Sequence, residues 1–471
     1  MSQPTYLFYD IETTGLNCAF DQVLQFAAIR TDLAFNELER HEIRVKLRPD
    51  VIPSPMAVMT HKISPSMMQE GEPEVDATRK IHALMNTPGT ISLGYNTLGF
   101  DDEFLRFCFY RNLLPPYTHQ FANRCKRMDL YPIATLFYLH GKSEIQWPEI
   151  DDRVSLKLEN LNAFNQLATG QAHDAMVDVK ATLALAKHFA KNTEMWDYCI
   201  GYFDKVTDAK RLSKLPYAFA DNSYQQGIIV DGKFGFDQSF QTYAICLGTH
   251  YHYKNQQCWL RLDLPELEQS TCEEFEKTTW VVKKKLGEPP IVLPTIDRFK
   301  QHFTQERLLT MKQNRFFLYS NPDILEAITD HFLDYKYPLV PEADVDSVLY
   351  QAGFPSDHDT RLCHRFHEAR LNEKSTLISE FQSPELQQLA IRLMGRNYPN
   401  LLKGDHLKQY DAYLQQLKTQ EPPIMDYRKR PRFTAQDAQT QLTEIQASED
   451  DKALNEELSL FINTLTKQKT V

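Results

Sequence analysis

The sequence has few of the features that define secreted, membrane-bound and zinc-binding proteins. Its 8 cysteines are scattered over 471 residues and form no C-x-x-C pair, which disfavours a zinc ribbon or a disulfide framework and predicts reduced thiols. No apolar run approaches the roughly 18 residues that a membrane helix needs. Acids at positions 10 and 12 stand where a signal peptide would have its apolar stretch. We therefore expect a cytoplasmic protein with no membrane partner.

An excess of positive charge is also absent. The chain has 52 Lys and Arg against 63 Asp and Glu, a net charge of −11. This balance disfavours a protein that coats duplex nucleic acid, although a local basic groove can exist in an acidic body. A chain of 471 residues is too long to fold around a single hydrophobic core, which predicts two or three domains.

The patterns along the chain predict three successive domains. Over residues 1–190, strand and helix patterns alternate, which predicts an α/β layer on a mixed sheet. Over residues 195–342, short strands such as QGIIVDGKFGF, TYAICLGTHYHY and QCWLRLDL predict a small β domain, with a hairpin at KNQQ. Residues 345–471 have helical periodicity, and the basic stretch YRKRPR is interpreted as a solvated loop.

The opening strand ends in two carboxylates. In YLFYDIETTGL, Asp10 and Glu12 are two residues apart, so their side chains point to the same face and repel each other unless a cation lies between them. Asp101 opens a predicted helix in GFDDE, and His173 and Asp178 lie at the start of another in HDAMVD. Because strand ends and helix starts meet at one edge of an α/β sheet, we expect these groups to converge.

Each of these residues taken alone has an ordinary structural explanation. Asp10 and Glu12 could be a turn cap and a surface acid, Asp101 could be an N-cap, and His173 could belong to a capping pair. Together they provide hard oxygen ligands for Mg²⁺ or Mn²⁺ and one group that titrates near neutrality. Two such ions about 4 Å apart suit in-line displacement at phosphorus. The set therefore predicts phosphodiester hydrolysis.

Three motifs resemble a known family. YDIETTGL, GYNTLGFDDEFL and AHDAMVDV resemble the three motifs of the DEDD superfamily of 3′→5′ exonucleases. The third motif has the spacing His-x4-Asp, as in the histidine-containing branch of that superfamily. QFAAIRTD, FYRNLLPPY, QWPEIDD and EADVDSVLYQAGF extend the resemblance to the bacterial exodeoxyribonuclease I family. It implies a ribonuclease H-like α/β exonuclease domain, an SH3-like β domain and an all-helical C-terminal domain. The implied activity is 3′→5′ degradation of single-stranded DNA to 5′-mononucleotides, in DNA repair and recombination.

The resemblance also implies roles for individual residues. His173 matches the general base and Lys157 stands where the family tends to have a substrate-binding arginine, although lysine lacks bidentate phosphate geometry. Asp101 is preferred to Asp102 as a ligand because it directly follows Phe100. Two Mg²⁺ ions, for which Mn²⁺ could substitute, would be held by Asp10, Glu12, Asp101 and Asp178, with Glu12 also assigned to catalysis. The implied partner is the single-stranded DNA-binding protein, through its acidic tail, and a monomer is expected.

A path for the DNA is predicted next to these motifs. The stretch FLRFCFYRNLLPPYTHQFANRCKR interleaves aromatic and basic residues, as non-specific single-strand binding requires. Arg106 and Arg127 are predicted to contact phosphates, and Tyr117 and Phe121 to stack on bases. The alternative is that the aromatics belong to a helix core. VVKKKLG in the β domain either lines the same channel or protects an edge strand.

Three other functions fit parts of the same pattern. An exoribonuclease of the same superfamily would use the same chemistry on RNA. A phosphatase of the haloacid dehalogenase type has an Asp-x-Asp-x-Thr motif that superficially resembles residues 10–13. A non-catalytic single-stranded DNA-binding or scaffold protein would retain the fold without hydrolysis. The extra domains disfavour the first, Glu12 the second, and the complete ligand set the third.

Overall fold

A computed structural model describes residues 3–171, 173–221, 223–445 and 451–467 of the chain. The first part alternates strands and helices: β1 (Thr5–Thr13), β2 (Val23–Thr31), β3 (Glu37–Arg44), α1 (Pro55–His61), α2 (Glu74–Met85), β4 (Thr90–Leu93), α3 (Asp101–Arg111), β5 (Lys126–Arg127), α4 (Leu130–His140), β6 (Glu149–Ile150), β7 (Arg153–Val154), α5 (Leu158–Asn165) and α6 (Ala175–Ala190). The middle part contains α7 (Thr193–Ile200), α8 (Lys205–Leu212), β8 (Gln226–Val230), β9 (Gln241–Thr249), β10 (Gln256–Arg261), β11 (Val281–Lys285), β12 (Ile291–Leu293), α9 (Asp297–Lys300), α10 (Gln305–Ser320) and α11 (Pro322–Asp334). The last part is helical: α12 (Asp357–Glu368), α13 (Leu371–Leu377), α14 (Pro384–Asn397), α15 (Gly404–Thr419), α16 (Ala435–Glu444) and α17 (Lys452–Lys467).

The first sheet is mixed, as predicted. Its strand order is β3-β2-β1-β4-β5, with β1 antiparallel to β2 and parallel to β4. The apolar residues of β1 are buried on both faces of the sheet, which explains why they form a continuous run and do not alternate with polar residues. Since β1 and β4 are parallel, their carboxyl ends reach the same edge of the sheet. The chain leaves β4 at that edge and forms α3.

The second sheet confirms the predicted β domain. It is antiparallel in the order β11-β10-β9-β8-β12, and the loop between β9 and β10 forms the predicted hairpin. The two long helices α10 and α11 in this region were not predicted, and α11 packs against β9. α10 buries only Met311, Asn314 and Leu318, a stripe too narrow for its apolar periodicity to show in the sequence.

The helical C-terminal part is also confirmed, and it packs on the first sheet. One hydrophobic core contains Leu7 of β1, Phe107 of α3 and Leu389 of α14. A second core joins Phe8 of β1 to Tyr243 of β9. The domain limits 1–190, 195–342 and 345–471 stay predictions, because hydrophobic cores continue across them. No helix of the described ranges is long and apolar enough to cross a membrane.

A buried cluster of charged residues joins the first part of the chain to the last. Asp50 lies 2.8 Å from a guanidinium nitrogen of Arg396 and 3.4 Å from one of Arg432. Burial alone would raise the pKa of Asp50, but the guanidiniums of Arg396, Arg48 and Arg432 hold it well below its ordinary value. The interpretation of YRKRPR as a solvated loop is therefore wrong for Arg432, which is buried. Its partner lies 382 positions away, so no local pattern could reveal the pair.

Candidate active site

Three of the predicted carboxylates converge at the end of β1. Ligand atoms of Asp10, Glu12 and Asp178 all lie within 4.8 Å of one another. Asp10 and Glu12 project from the same face of β1, as their spacing predicts. Asp178 lies in the first turn of α6, which packs against β1 and begins at the N-cap Asp174. Residues from two distant motifs thus form one acidic site.

Asp101 lies beside this group of three, at the first residue of α3. Its Oδ1 accepts a hydrogen bond from the backbone N–H of Ile11 at 3.2 Å, so the start of α3 is attached to β1 between Asp10 and Glu12. Among the charges near Asp10, that of Asp101 acts most strongly on its pKa. The fourth predicted ligand is therefore adjacent to the other three, but it is not part of the group within 4.8 Å.

The four carboxylates are electrostatically unfavourable without a cation. Burial and then the charges of neighbouring acids raise the pKa of Asp10 well above its ordinary value and that of Glu12 to about 9. Burial raises the pKa of Asp101 to about 8 against the hydrogen bonds from two backbone N–H groups, its own and that of Ile11. Burial also raises the pKa of Asp178 to about 6, although the nearby His173 opposes this. A bound divalent cation reverses such shifts, and an all-carboxylate donor set suits Mg²⁺ or Mn²⁺.

The neighbouring acid, Asp102, is in a different state. It is fully buried and pairs with Arg106, with Nε2 of His119 at 2.8 Å and with Nη1 of Arg127 at 2.6 Å. Burial opposes ionisation, but these partners hold the pKa of Asp102 far below its ordinary value. Its oxygens are thus already bound by protein donors, which favours Asp101 as the metal ligand.

His173 lies next to the acidic site, but its ring contacts Glu159, which is not one of the four acids. Its Nε2 lies 2.9 Å from Oε2 of Glu159 in α5, and its backbone has a left-handed φ of 61°. Its ring is 41% exposed. Lys157, 75% exposed, lies 3.6 Å from the other oxygen of Glu159. Sequence reasoning missed Glu159, whose only local signal is its place two residues after Lys157.

Comparisons with known proteins agree with this geometry. A family model described as "Exonuclease" matches residues 7–186, and one described as "Exonuclease I C-terminal domain" matches residues 343–465. Exodeoxyribonuclease I of Escherichia coli K12 is 31% identical over 445 residues, which cover 89% of this chain and 91% of that protein. The chain belongs to the exodeoxyribonuclease I family.

Solved structures extend the similarity to the whole fold. Exonuclease I of E. coli in complex with a dA16 oligonucleotide matches with a TM-score of 0.82 and 26% identity, covering 98% of this chain and 100% of that one. An SSB/exonuclease I structure with an inhibitor matches with a TM-score of 0.79 and 26% identity, covering 98% and 100%. A member of the exodeoxyribonuclease I family is a hydrolytic 3′→5′ exonuclease on single-stranded DNA and needs a divalent metal. Membership disfavours the phosphatase and scaffold interpretations.

Besides Lys157, four DNA-contact residues are predicted for this exodeoxyribonuclease I family member, and they have different environments. Arg106 and Arg127 are nearly buried and bind Asp102, so in this structure their charge is neutralised inside the protein. Phe121 is 66% exposed, which is what a base-stacking residue requires. Tyr117 is half-buried and packs edge-on against the exposed Phe354. All four assignments stay predictions, and the geometry supports the aromatic pair better than the arginine pair.

The three lysines of VVKKKLG in the β domain also differ in their environments. Lys284 is buried, with its Nζ 2.7 Å from Oδ2 of Asp208, so it is part of the core. Lys283 lies over the ring of Tyr337 at 4.3 Å, and Lys285 is 47% exposed. β11 is an edge strand, as one of the two explanations for the run requires.

Proposed function

We propose that this chain removes 5′-mononucleotides from the 3′ end of single-stranded DNA, in DNA repair and recombination, with two Mg²⁺ ions held by Asp10, Glu12, Asp101 and Asp178. The observation that carries the proposal is that ligand atoms of the half-buried Asp10, Glu12 and Asp178 lie within 4.8 Å of one another. The strongest charged neighbours of Asp10 and Glu12 are other carboxylates. When bound, the two ions supply electrostatic stabilisation to the attacking and leaving oxygens of the phosphodiester. Mn²⁺, with the same ligand preference, substitutes for Mg²⁺.

His173 is proposed to accept the proton of the attacking water. It directly precedes the N-cap of α6 and lies about one turn from Asp178. Its ring is 41% exposed and is open to a water in the site. Glu159 holds Nε2 and thereby fixes the orientation of the ring. Catalytic hydrogen bonds of this type often form fully only when the substrate is present. Glu12 is proposed to combine a catalytic role with metal binding, because it lies near the carboxyl end of β1 beside Asp10 and Asp178.

The substrate contacts are proposed to continue from this site to the surface around Phe121. Lys157 is the exposed one of the three predicted cationic contacts, and it lies close in sequence to His173. Its Nζ can move toward a phosphate, because its contact with Glu159 is long, 3.6 Å. Phe121 then provides a sequence-tolerant stacking surface.

The decisive experiment is digestion of a 5′-labelled single strand in Mg²⁺, with EDTA, a blunt duplex and a matched RNA oligomer as comparisons. We expect a ladder that shortens from the 3′ end and mononucleotides carrying a 5′ phosphate. EDTA should stop the reaction, and the duplex and the RNA should be degraded far more slowly. Degradation that is equal on RNA would support the exoribonuclease alternative. An intact single strand in Mg²⁺ and in Mn²⁺ would contradict the proposal.

We further propose a cytoplasmic monomer that binds the acidic tail of the single-stranded DNA-binding protein. All eight cysteines are free thiols, which fits a reducing compartment. The SSB/exonuclease I structure of the relative supports the choice of partner. Light scattering during gel filtration tests the monomer, and fluorescence anisotropy of a labelled acidic tail peptide tests the partner. A dimer, or an anisotropy unchanged by the protein, would contradict the respective statement.

A further inference from the structure

The helix that carries Asp101 is held by contacts from both accessory domains. Asp102 and Glu103 follow Asp101 in the first turn of α3, and each is bound by side chains that come from other parts of the fold. We call this set the α3 clamp. It consists of Asp102, Glu103, Arg106, Arg127, Glu288, Tyr350, Tyr427 and Arg428.

One arm of the α3 clamp comes from the β domain. Glu288 lies between β11 and β12, and its Oε1 lies 2.7 Å from Nη2 of Arg127. Nη1 of the same guanidinium donates to Asp102 at 2.6 Å. Glu288 is itself fixed to the β domain, because its backbone carbonyl accepts a hydrogen bond from Nζ of the buried Lys284. A chain of two charge-assisted contacts therefore runs from the β domain to the residue next to Asp101.

The other arm comes from the helical C-terminal part. The hydroxyl of Tyr350 lies 3.5 Å from Nη1 of Arg106 and 3.3 Å from Oε1 of Glu103. Glu103 also accepts hydrogen bonds from the hydroxyl of Tyr427 at 2.8 Å and from Arg428 at 3.0 Å. The rings of Tyr350 and Tyr427 both pack on Phe107 of α3. This arm fixes the outer face of the first two turns of the helix.

These contacts lie directly next to Asp101 in α3. Asp101 has one hydrogen bond to β1 in the structure, from the N–H of Ile11. Asp102 is linked to the β domain through Arg127, and Glu103 is bound directly by the helical C-terminal part. A ligating carboxylate must be held within about 0.5 Å of its working position. We propose that Glu288 and Tyr350 are positioning residues, which act through Asp102 and Glu103 to hold Asp101 in its metal-binding position. The inference rests on the proposed function, in which Asp101 is a ligand.

The experiment measures metal binding and catalysis separately in the full chain. Glu288→Ala removes the β-domain arm, Glu288→Gln retains an oxygen acceptor for Arg127, and Glu274→Ala is a matched control on an exposed acid of the same domain. Binding of Mn²⁺ without DNA is followed by the EPR signal of the free ion, and kcat and KM are measured on a single-stranded oligonucleotide. Melting temperatures identify variants that do not fold.

We expect Glu288→Ala to weaken Mn²⁺ binding and to lower kcat, each by about tenfold, the lower end of effects seen for outer-shell partners of metal ligands. KM for DNA should change by less than twofold, Glu288→Gln should recover part of both losses, and Glu274→Ala should match the wild type. Tyr350→Phe, which removes only a hydroxyl, should show the same pattern if Glu288→Ala does not fold.

Two results would overturn the inference. In one, Glu288→Ala and Tyr350→Phe bind Mn²⁺ as the wild type does; in the other, they raise KM alone, which would make them DNA contacts. Failure of the proposed function gives a different result, because Asp101→Asn would then bind Mn²⁺ normally and the wild type would be inactive.

Discussion

Replacing Glu12 by Gln should stabilise the metal-free protein while it abolishes hydrolysis. The pKa of Glu12 is raised from 4.5 to about 9 by burial and by the charges of Asp178 and Asp101. At pH 7.5 the unfolded chain has lost this proton and the folded chain retains it, so the carboxyl group disfavours folding. Over about 3 pH units at about 1.4 kcal/mol each, the penalty is about 4 kcal/mol. Gln has the same shape and carries no such penalty.

The stability difference between Glu12→Gln and the wild type should depend on pH. A carboxyl group whose pKa is higher in the folded state destabilises the protein as pH rises from 4.5 toward 9, and it has no effect below the lower value. The advantage of Glu12→Gln should therefore be largest near pH 9 and vanish near pH 4.5. Urea unfolding followed by circular dichroism in EDTA measures it, with the exposed Glu70→Gln as the control.

Magnesium should reverse the order of the two proteins. The wild type should gain stability with Mg²⁺ at pH 7.5, because the cation offsets the repulsion among the carboxylates, and Glu12→Gln should gain less. If Glu12→Gln is no more stable than the wild type in EDTA at pH 7.5, burial and repulsion do not disfavour the charged form of Glu12 as described, and the argument for a cation fails.

Three further changes test separate parts of the molecule. Asp178→Asn should lower kcat by at least about a thousandfold, as expected when a group essential to the chemistry is lost, while filter binding detects unchanged affinity for single-stranded DNA; substantial residual hydrolysis would contradict its role. Phe121→Ala should raise KM by about 5- to 150-fold, the equivalent of about 1–3 kcal/mol of stacking, at unchanged kcat, and an unchanged KM would remove this residue from the DNA path. Arg396→Met removes the buried cation that Asp50 and Asp346 share and should cost about 3–5 kcal/mol of stability in urea unfolding; a loss below about 1 kcal/mol would show that the remaining arginines compensate.

The parts of the site that sequence could predict depend on short-range geometry. Asp10 and Glu12 share a face because strand side chains alternate, and the apolar run before them identifies the strand. Asp178 lies one turn into a helix whose N-cap, Asp174, could be identified from its residue type. The mixed sheet then brings β1, α3 and α6 to one edge. Each of these steps needs only neighbouring residues and the topology of an α/β layer.

The parts that sequence could not predict depend on partners that are distant along the chain. Arg106 and Arg127 have the spacing and charge of phosphate contacts, but Asp102 and Glu288 neutralise them in the fold. Glu288 is 161 positions from Arg127. A charged side chain has the same appearance in a sequence whether it lies in a groove or in a buried ion pair, so patterns of charge predict surfaces only when burial is known.

The helix α10 shows the same limit for secondary structure. It has 16 residues, of which three are buried, and it packs against α11. The predicted β domain, residues 195–342, therefore included this segment without a helix in it. By contrast, the strands β9 and β10 are buried along most of their length and were clear in the sequence.

The most direct test of the central claim is the anomalous scattering of crystals grown with Mn²⁺ and a 5′-mononucleotide. The account predicts two peaks about 4 Å apart, within coordination distance of oxygens of Asp10, Glu12, Asp101 and Asp178. Crystals in which Mn²⁺ is absent from these carboxylates, or is bound only at another place on the protein, would contradict it.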